Sequence, residues 1–125
     1  MTFRLSFRSK RELVGVHPKL RAVVEAAITD CPVDFAVHDG LRTIEEQRKL
    51  KAAGFSKTLK SKHLTGRAVD LVPYINGKLR WEEAAGQAVK KHVLATAARM
   101  GVKMFNGYDR WGWDLWHFEL EKSVR

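Results

Sequence analysis

The most informative part of this sequence is the run Ser61-Lys62-His63-Leu64-Thr65-Gly66-Arg67-Ala68-Val69-Asp70. It leads into Leu71-Val72, and this apolar segment predicts a buried strand from Ala68 to Tyr74, with Asp70 inside it. An ionised carboxylate is costly to bury unless a cation or a polar cleft meets it. A paired arginine, a turn that the aspartate caps, or a metal ion held together with His63 would each meet that requirement.

A second group of polar residues lies far downstream, in Trp113-Asp114-Leu115-Trp116-His117-Phe118-Glu119-Leu120. Asp114 and His117 are three positions apart, so they cannot share a strand face, but a turn aided by Gly112 can aim both at one point. Two histidines and one aspartate can hold a zinc ion and leave its fourth position open for water, on which the remaining aspartate can act. From these residues alone, a hydrogen-bonded histidine among aromatic side chains and a surface carboxylate remain open alternatives.

Helices are predicted from capping residues and from apolar spacing. Capping boxes, in which a serine or threonine precedes a glutamate by three positions, stand at Ser9 and Thr43. Apolar residues repeat at helical spacing after Pro18 and after Glu82. The predicted helices therefore begin near Ser9 and cover 18–30, 43–54 and 82–100.

Strands are predicted from short apolar segments that turn residues separate. Asn76-Gly77 is a strong hairpin signal between the strand at 68–74 and a return at 78–81. Further strands are expected at 35–37, 102–105 and 116–120, a polar loop at 55–62 and a turn-rich loop at 106–112. The sum predicts an α+β fold: helices packed on a small, mostly antiparallel sheet, in a single domain covering residues 1–125.

The composition favours an anionic partner. The chain of 125 residues has a net charge of +9 and a pI near 10.0, which suits nucleic acid, a membrane surface or a cell-wall polymer. The basic residues are dispersed and no nucleic-acid-binding motif accompanies them, so we expect a solvated surface with a general attraction to polyanions. No apolar stretch is long enough for a signal peptide or a membrane span. The single cysteine, Cys31, excludes an intrachain disulfide and a cysteine-based zinc site.

The two motifs together resemble those of a known enzyme group. The pattern Ser61-x-His63-x-x-Gly66-x-Ala68-x-Asp70, followed by Asp114-x-x-His117, resembles the zinc D,D-carboxypeptidase and L-alanyl-D-glutamate peptidase group. The resemblance is close to its phage endolysins, which cut the bacterial cell wall. It extends to the turn Gly40-Leu41-Arg42-Thr43, to the segment Pro73–Lys78 and to the end His117–Leu120, and so covers most of the chain.

The resemblance implies a role for each residue of the paired motif. His63, Asp70 and His117 match the zinc ligands of the group. Asp114 matches its general base, which is a glutamate in many relatives.

Two further residues match positions near the substrate. Arg42 matches an arginine that stabilises the charged intermediate, with a structural salt bridge as the alternative. Ser61 matches a serine that hydrogen-bonds the substrate or a zinc ligand, with a local loop cap as the alternative. The calcium-binding acidic loop of some phage relatives is not expected here, because Asp109 is the only acid between Asn106 and Gly112.

The implied function is a peptidoglycan-degrading zinc endopeptidase that cuts the peptide stem at the L-Ala–D-Glu bond for host cell lysis. A D-Ala–D-Ala carboxypeptidase is the alternative enzyme. A non-catalytic basic wall-binding module is the alternative of another class, and the intact Asp114 argues against it. The expected partners are the peptide stem and, by charge, anionic wall polymers, with no nucleic acid, no membrane insertion and a monomeric state. The expected location is the host bacterial cytoplasm, with action on the wall after release.

Overall fold

The computed structural model describes residues 2–56 and 58–125, so Met1 and Lys57, the latter in the predicted loop 55–62, lie outside the described residues. A short 3-10 helix, Lys62–Thr65, precedes the second strand. The other elements follow in chain order: α1 (Phe7–Glu12), α2 (Pro18–Asp30), β1 (Phe35–Asp39), α3 (Ile44–Ala52), β2 (Ala68–Ile75), β3 (Lys78–Leu79), α4 (Glu83–Arg99), β4 (Met104–Asn106), α5 (Gly107–Trp111) and β5 (His117–Leu120).

The strands form one antiparallel sheet in the order β1-β2-β5-β4, and β3 extends it as a hairpin partner of β2. The hairpin turns at Asn76 and Gly77, which both have positive φ, at 54° and 76°. That conformation belongs to the tight turn whose twist matches paired strands, and it is why an Asn-Gly pair predicts a hairpin. The predicted α+β class, with helices on a small antiparallel sheet, is confirmed.

The core lies between the sheet and the helices α1, α2 and α4. α2 packs on α4, α4 packs on β2 and β4, and α1 packs on β1. One hydrophobic cluster runs from Leu5 to Leu120 and joins these elements. α2 contributes the face that its sequence spacing predicted: Leu20, Val23, Val24, Ala27 and Ile28, all buried.

Two local predictions were wrong. α1 is capped by Ser6, whose side chain accepts a hydrogen bond from the Ser9 amide, and Ser9 lies inside the helix. The Ser9 hydroxyl is instead buried and accepts from the amide of Val37 in β1, at 3.0 Å. The segment 106–112 is not a loop, because Asn106 caps the helix α5 and Gly112 ends it with φ 82°.

Among the helices that the structure describes, none combines the length and the apolar character needed for a membrane span.

Candidate metal centre

The pairing of β2 with β5 brings the two motifs together. Asp70 lies directly opposite His117 in that ladder, and His63 approaches from the 3-10 helix that precedes β2. Asp70 Oδ1 is 3.3 Å from His63 Nε2 and 3.4 Å from His117 Nδ1. The three potential donor atoms all lie within 4.8 Å of one another, so residues 63, 70 and 117 can hold one metal ion.

The state of Asp70 Oδ1 supports a metal ion at this point. This oxygen is buried and has no hydrogen-bond partner in the part of the chain that the structure describes. An unsatisfied buried oxygen is costly and needs an explanation. A cation between the carboxylate and the two imidazoles satisfies that oxygen and uses the nitrogens that face it.

Hydrogen bonds on the far side of each ring orient the two histidines. His63 Nδ1 lies 2.8 Å from the carbonyl oxygen of Gly40 and donates to it. His117 Nε2 lies 2.9 Å from Glu119 Oε1 and donates to that carboxylate. Because each ring nitrogen that faces away is protonated, Nε2 of His63 and Nδ1 of His117 are left to coordinate an ion.

Motif residue Gly66 fixes where the 3-10 helix meets β2. Its φ is +70°, and a Cβ at this position would lie 2.4 Å from the carbonyl oxygen of Gly15. Its own carbonyl accepts from the amide of His17 at 2.8 Å. A glycine is required here, because any side chain would push the Gly15 backbone away from the bend that joins the 3-10 helix of His63 to the strand of Asp70.

Charges among the side chains of the site shift two pKa values strongly. Burial alone would raise the pKa of Asp70, but the nitrogens of His117 and His63 hold it far below its usual range. Burial alone would lower the pKa of His117, but the carboxylates of Asp70 and Glu119 raise it to about 9. The carboxylates that favour a proton on His117 would equally attract a metal cation to this point.

Asp114 occupies the turn that the sequence predicted before His117. Its carbonyl accepts from the His117 amide at 3.3 Å, and its φ of 68° is unusual for a residue other than glycine. Gly107 permits this conformation, because a Cβ there would lie 2.6 Å from the Asp114 carbonyl oxygen. Burial and the charge of Asp70 raise the pKa of the Asp114 carboxyl, which makes it a stronger base than an exposed aspartate.

Arg42 is buried in the turn that precedes α3. Its Nε donates to Asp39 Oδ2 at 3.1 Å, with a second contact from Nη2 to the same oxygen, and its Nη1 donates to Gln47 Oε1 at 2.6 Å. Its backbone amide donates to the carbonyl of His63 at 2.9 Å. The structural salt bridge considered for Arg42 is thus present, and the same segment positions a predicted ligand.

Ser61 caps the 3-10 helix. Its Oγ accepts from the amide of His63 at 3.2 Å and lies 3.5 Å from Arg42 Nη1. The loop cap considered for Ser61 is therefore present, and a role in substrate binding stays a prediction.

Sequence reasoning missed three residues that support the site: Asp39, Gln47 and Glu119. Glu119 could have been found, because alternation along β5 places it on the same strand face as His117. Asp39 and Gln47 carry no such signal. Gln47 is completely buried on α3, and its contact with Arg42 depends on how that helix packs.

Comparison with known proteins gives the family. The family model described as phage L-alanyl-D-glutamate peptidase matches residues 1–122. The L-alanyl-D-glutamate peptidase of Escherichia phage T5 is 35% identical over 128 residues, covering 99% of this chain and 93% of the phage enzyme. The crystal structure of ChiX, an L-Ala D-Glu endopeptidase of Serratia marcescens, matches with a TM-score of 0.87 and 36% identity, over 96% of this chain and 91% of ChiX.

A more distant solved structure shares only the fold. A variant of the vancomycin-resistance D,D-pentapeptidase VanY, solved in complex with Zn(II), has a TM-score of 0.52 and 19% identity, over 94% of this chain and 73% of VanY. Because the family model spans almost the whole sequence and the phage T5 enzyme aligns from end to end, this chain belongs to the phage L-alanyl-D-glutamate peptidase family.

Proposed function

We propose that this protein is a zinc-dependent endopeptidase that cuts the L-Ala–D-Glu bond in the peptide stem of peptidoglycan. The observation that carries the proposal is the buried Asp70 Oδ1, which faces two histidine nitrogens at 3.3 and 3.4 Å. Two imidazoles and one carboxylate form a ligand set of catalytic zinc sites that keep a position open. The relatives from phage T5 and Serratia marcescens, both L-Ala–D-Glu peptidases by name, support the choice of bond.

In this mechanism His63, Asp70 and His117 would hold the zinc ion. When bound there, zinc would supply Lewis-acid activation of the attacking water and of the scissile carbonyl. Asp114 accepts the proton from the water and passes it to the leaving amine of D-Glu. The raised pKa of Asp114 suits this role, because a stronger base takes the proton more readily and the resulting acid can still release it.

The other two predicted site residues have supporting roles. Arg42, whose amide contacts the carbonyl of His63, would offset the negative charge that develops on the carbonyl oxygen of the substrate. Its contacts with Asp39 and Gln47 hold the guanidinium in one orientation. Ser61 uses its oxygen to accept from His63 and Arg42, which leaves its hydroxyl proton to donate to the peptide stem.

The proposal also covers the charge of the surface and the place where the enzyme acts. The net charge of +9 would concentrate the enzyme on anionic wall polymers, and we propose that it acts there as a monomer. We further propose that it is made in the host cytoplasm and degrades the wall during lysis, after release from that compartment. Fractionation of infected cells over time, with detection of the protein in the soluble and wall fractions, tests this sequence of events.

Digestion of purified peptidoglycan, followed by mass spectrometry, tests the activity. We expect soluble stem fragments with D-Glu at their amino terminus and glycan strands that retain only L-Ala. Release of free D-alanine alone would identify a carboxypeptidase, and binding to sacculi without any cleavage would identify a non-catalytic module. Elemental analysis should find one zinc per chain, and a chelator should stop the reaction until zinc is restored.

A further inference from the structure

Two tryptophans extend from the metal centre towards solvent. The ring centroid of Trp111, at the end of α5, lies 5.3 Å from that of His117, with the two planes inclined by 39°. The Trp113 ring lies 5.7 Å from the Trp111 ring, inclined by 32°. Trp111 and Trp113, called here the indole platform, thus continue outward from the ring of a proposed zinc ligand.

The indole platform exposes a large apolar area. Trp111 is 44% and Trp113 is 59% exposed, although tryptophan is usually well buried. A contiguous exposed aromatic surface beside a reaction centre is typical of a ligand-binding site. Stability of the fold alone does not explain two neighbouring indoles in this position.

Trp111 is held firmly from within the protein. The ring of Phe105 meets it edge-on, at 5.7 Å and 83°. Gly107 allows close approach, because a Cβ at that position would lie 3.1 Å from Cζ3 of Trp111. The guanidinium of Arg110 in turn covers Phe105, 3.9 Å from its ring centroid. This support presents a fixed aromatic surface rather than a loose side chain.

We propose that the indole platform binds the sugar ring to which the peptide stem is attached, N-acetylmuramic acid. The proposal rests on the proposed function and adds that the enzyme recognises the glycan as well as the peptide. Sugar rings carry apolar C–H faces that pack flat on indole, an aromatic surface with a large contact area and few degrees of freedom.

The position of the bond in the substrate supports this assignment. L-Ala is joined directly to the lactyl group of the muramic acid, so only one amino acid, about 3.5 Å of extended chain, separates the L-Ala–D-Glu bond from that group. The platform begins at Trp111, whose ring lies 5.3 Å from the ring of His117. A sugar this close to the cleaved bond can therefore reach it. The D-Ala–D-Ala bond lies three amino acids farther from the sugar, about 10 Å of extended chain. If that bond lay at the metal centre, the sugar would be too far away to contact the platform.

Substrate preference tests the proposal. The two substrates are the tetrapeptide stem linked to its disaccharide and the same tetrapeptide carrying only an N-acetyl group. We expect the wild type to favour the linked substrate in kcat/KM. Trp113→Ala should lower that preference about tenfold, mainly through KM, and Trp113→Phe should restore most of it, since aromatic contacts are worth about that much. Trp113 is chosen because its ring contacts Trp111 rather than the ring of His117.

Trp81→Ala is the matched control. Trp81 is 51% exposed, and its ring contacts His38 and Trp116 instead of the platform. An equal loss of preference in Trp81→Ala would assign the effect to general loss of aromatic surface and overturn the proposal. So would a wild type that shows no preference for the linked substrate.

A binding measurement separates this proposal from the proposed function. The indole N–H resonances are followed by NMR while the isolated disaccharide is added, with zinc and with a chelator, and variants at 113 assign the signals. We expect the Trp113 resonance to shift in a saturable way. If it does not move, the proposal fails even in an active enzyme. If it moves while neither substrate is cut, the proposed activity fails and the sugar site stands.

Discussion

Glu119 holds the ring of His117 from the side that faces away from the metal centre. Glu119 Oε1 lies 2.9 Å from Nε2 of His117, while Nδ1 of the same ring lies 3.4 Å from Asp70 Oδ1. The carboxylate fixes the proton on one nitrogen and so presents the other to an ion. A carboxylate behind a ligating histidine also makes that histidine a better ligand.

Removal of this carboxylate should weaken metal binding without unfolding the protein. We expect Glu119→Ala to lower zinc affinity about 10–100-fold, the usual effect of losing such a partner. Competition with a chromophoric chelator measures the affinity. Glu121→Ala is the control, because Glu121 follows on the same chain segment but pairs with Arg110. Equal zinc affinity in the wild type and in Glu119→Ala would show that the hydrogen bond does not tune the site.

Asp114→Asn should separate chemistry from metal binding. The amide keeps the shape of the side chain but cannot accept the proton, so turnover should fall about 10²–10⁴-fold while zinc stays near one per chain. His117→Ala should instead lose both zinc and activity. Metal content and stem release are measured on the same samples. Zinc loss in Asp114→Asn would make that residue a ligand, and normal turnover would remove it from the mechanism.

The metal-free protein should become less stable as the pH rises through neutrality. The folded-state pKa of His117 is raised to about 9, above an unfolded value near 6.5. The stabilisation from its proton is complete below about pH 6.5 and is lost as the pH approaches 9, with a magnitude on the order of 1–3 kcal/mol. Urea unfolding in a chelator at pH 6, 7.5 and 9 measures it. His117→Gln should flatten this slope, and an unchanged slope would exclude His117 as its source.

Adsorption to cell walls should weaken as salt is added. A dispersed charge of +9 acts at long range, and salt screens such attraction over about 8 Å at physiological ionic strength. Co-sedimentation with sacculi between low and high salt measures the effect. Sedimentation that does not depend on salt would point to a specific pocket, and tight salt-sensitive binding to DNA would support a nucleic-acid partner instead.

Gly66→Ala should be markedly more destabilising than Gly54→Ala. Both glycines have positive φ, at +70° and +82°, but a Cβ on Gly66 would lie 2.4 Å from a backbone oxygen, whereas a Cβ on Gly54 would have nothing within 4 Å. Gly54→Ala should cost about 1 kcal/mol of unfolding free energy for the strained backbone. Gly66→Ala should cost more and should also weaken zinc binding. Similar stabilities for the two variants would show that the loop of Gly15 can move aside.

The sequence predicted best where local rules and tertiary packing agree. Thr43 and Glu46 form the predicted reciprocal capping box, because both partners lie within one turn of the same helix. Ser9 has the same spacing to a glutamate, yet its hydroxyl accepts a hydrogen bond from the amide of Val37 in β1. Local spacing cannot reveal that competition, since it arises only when α1 packs on the sheet.

The site shows the same division. His63, Asp70 and His117, which the two motifs predicted as a metal-ligand set, lie together in the fold. They could be predicted because metal coordination requires particular residue types, and these are visible in the sequence. The carbonyl of Gly40, which orients His63, carries no side-chain signal and could not be predicted. α5 could have been found, because Asn106 and Gly112 are good cap residues; its five residues, Gly107–Trp111, are too few for a clear apolar period.

The opposition of Asp70 and His117 across the β2–β5 ladder also sets when the protein can become active during synthesis. β2 leaves the ribosome well before β5, and until β5 pairs with it a growing chain has one histidine and one aspartate near each other and no third ligand. With the proposed ligand set, an ion could be captured only after the strand at 117–120 has been made and docked. A chain interrupted before that point would lack the third ligand, so premature termination should yield an inert product.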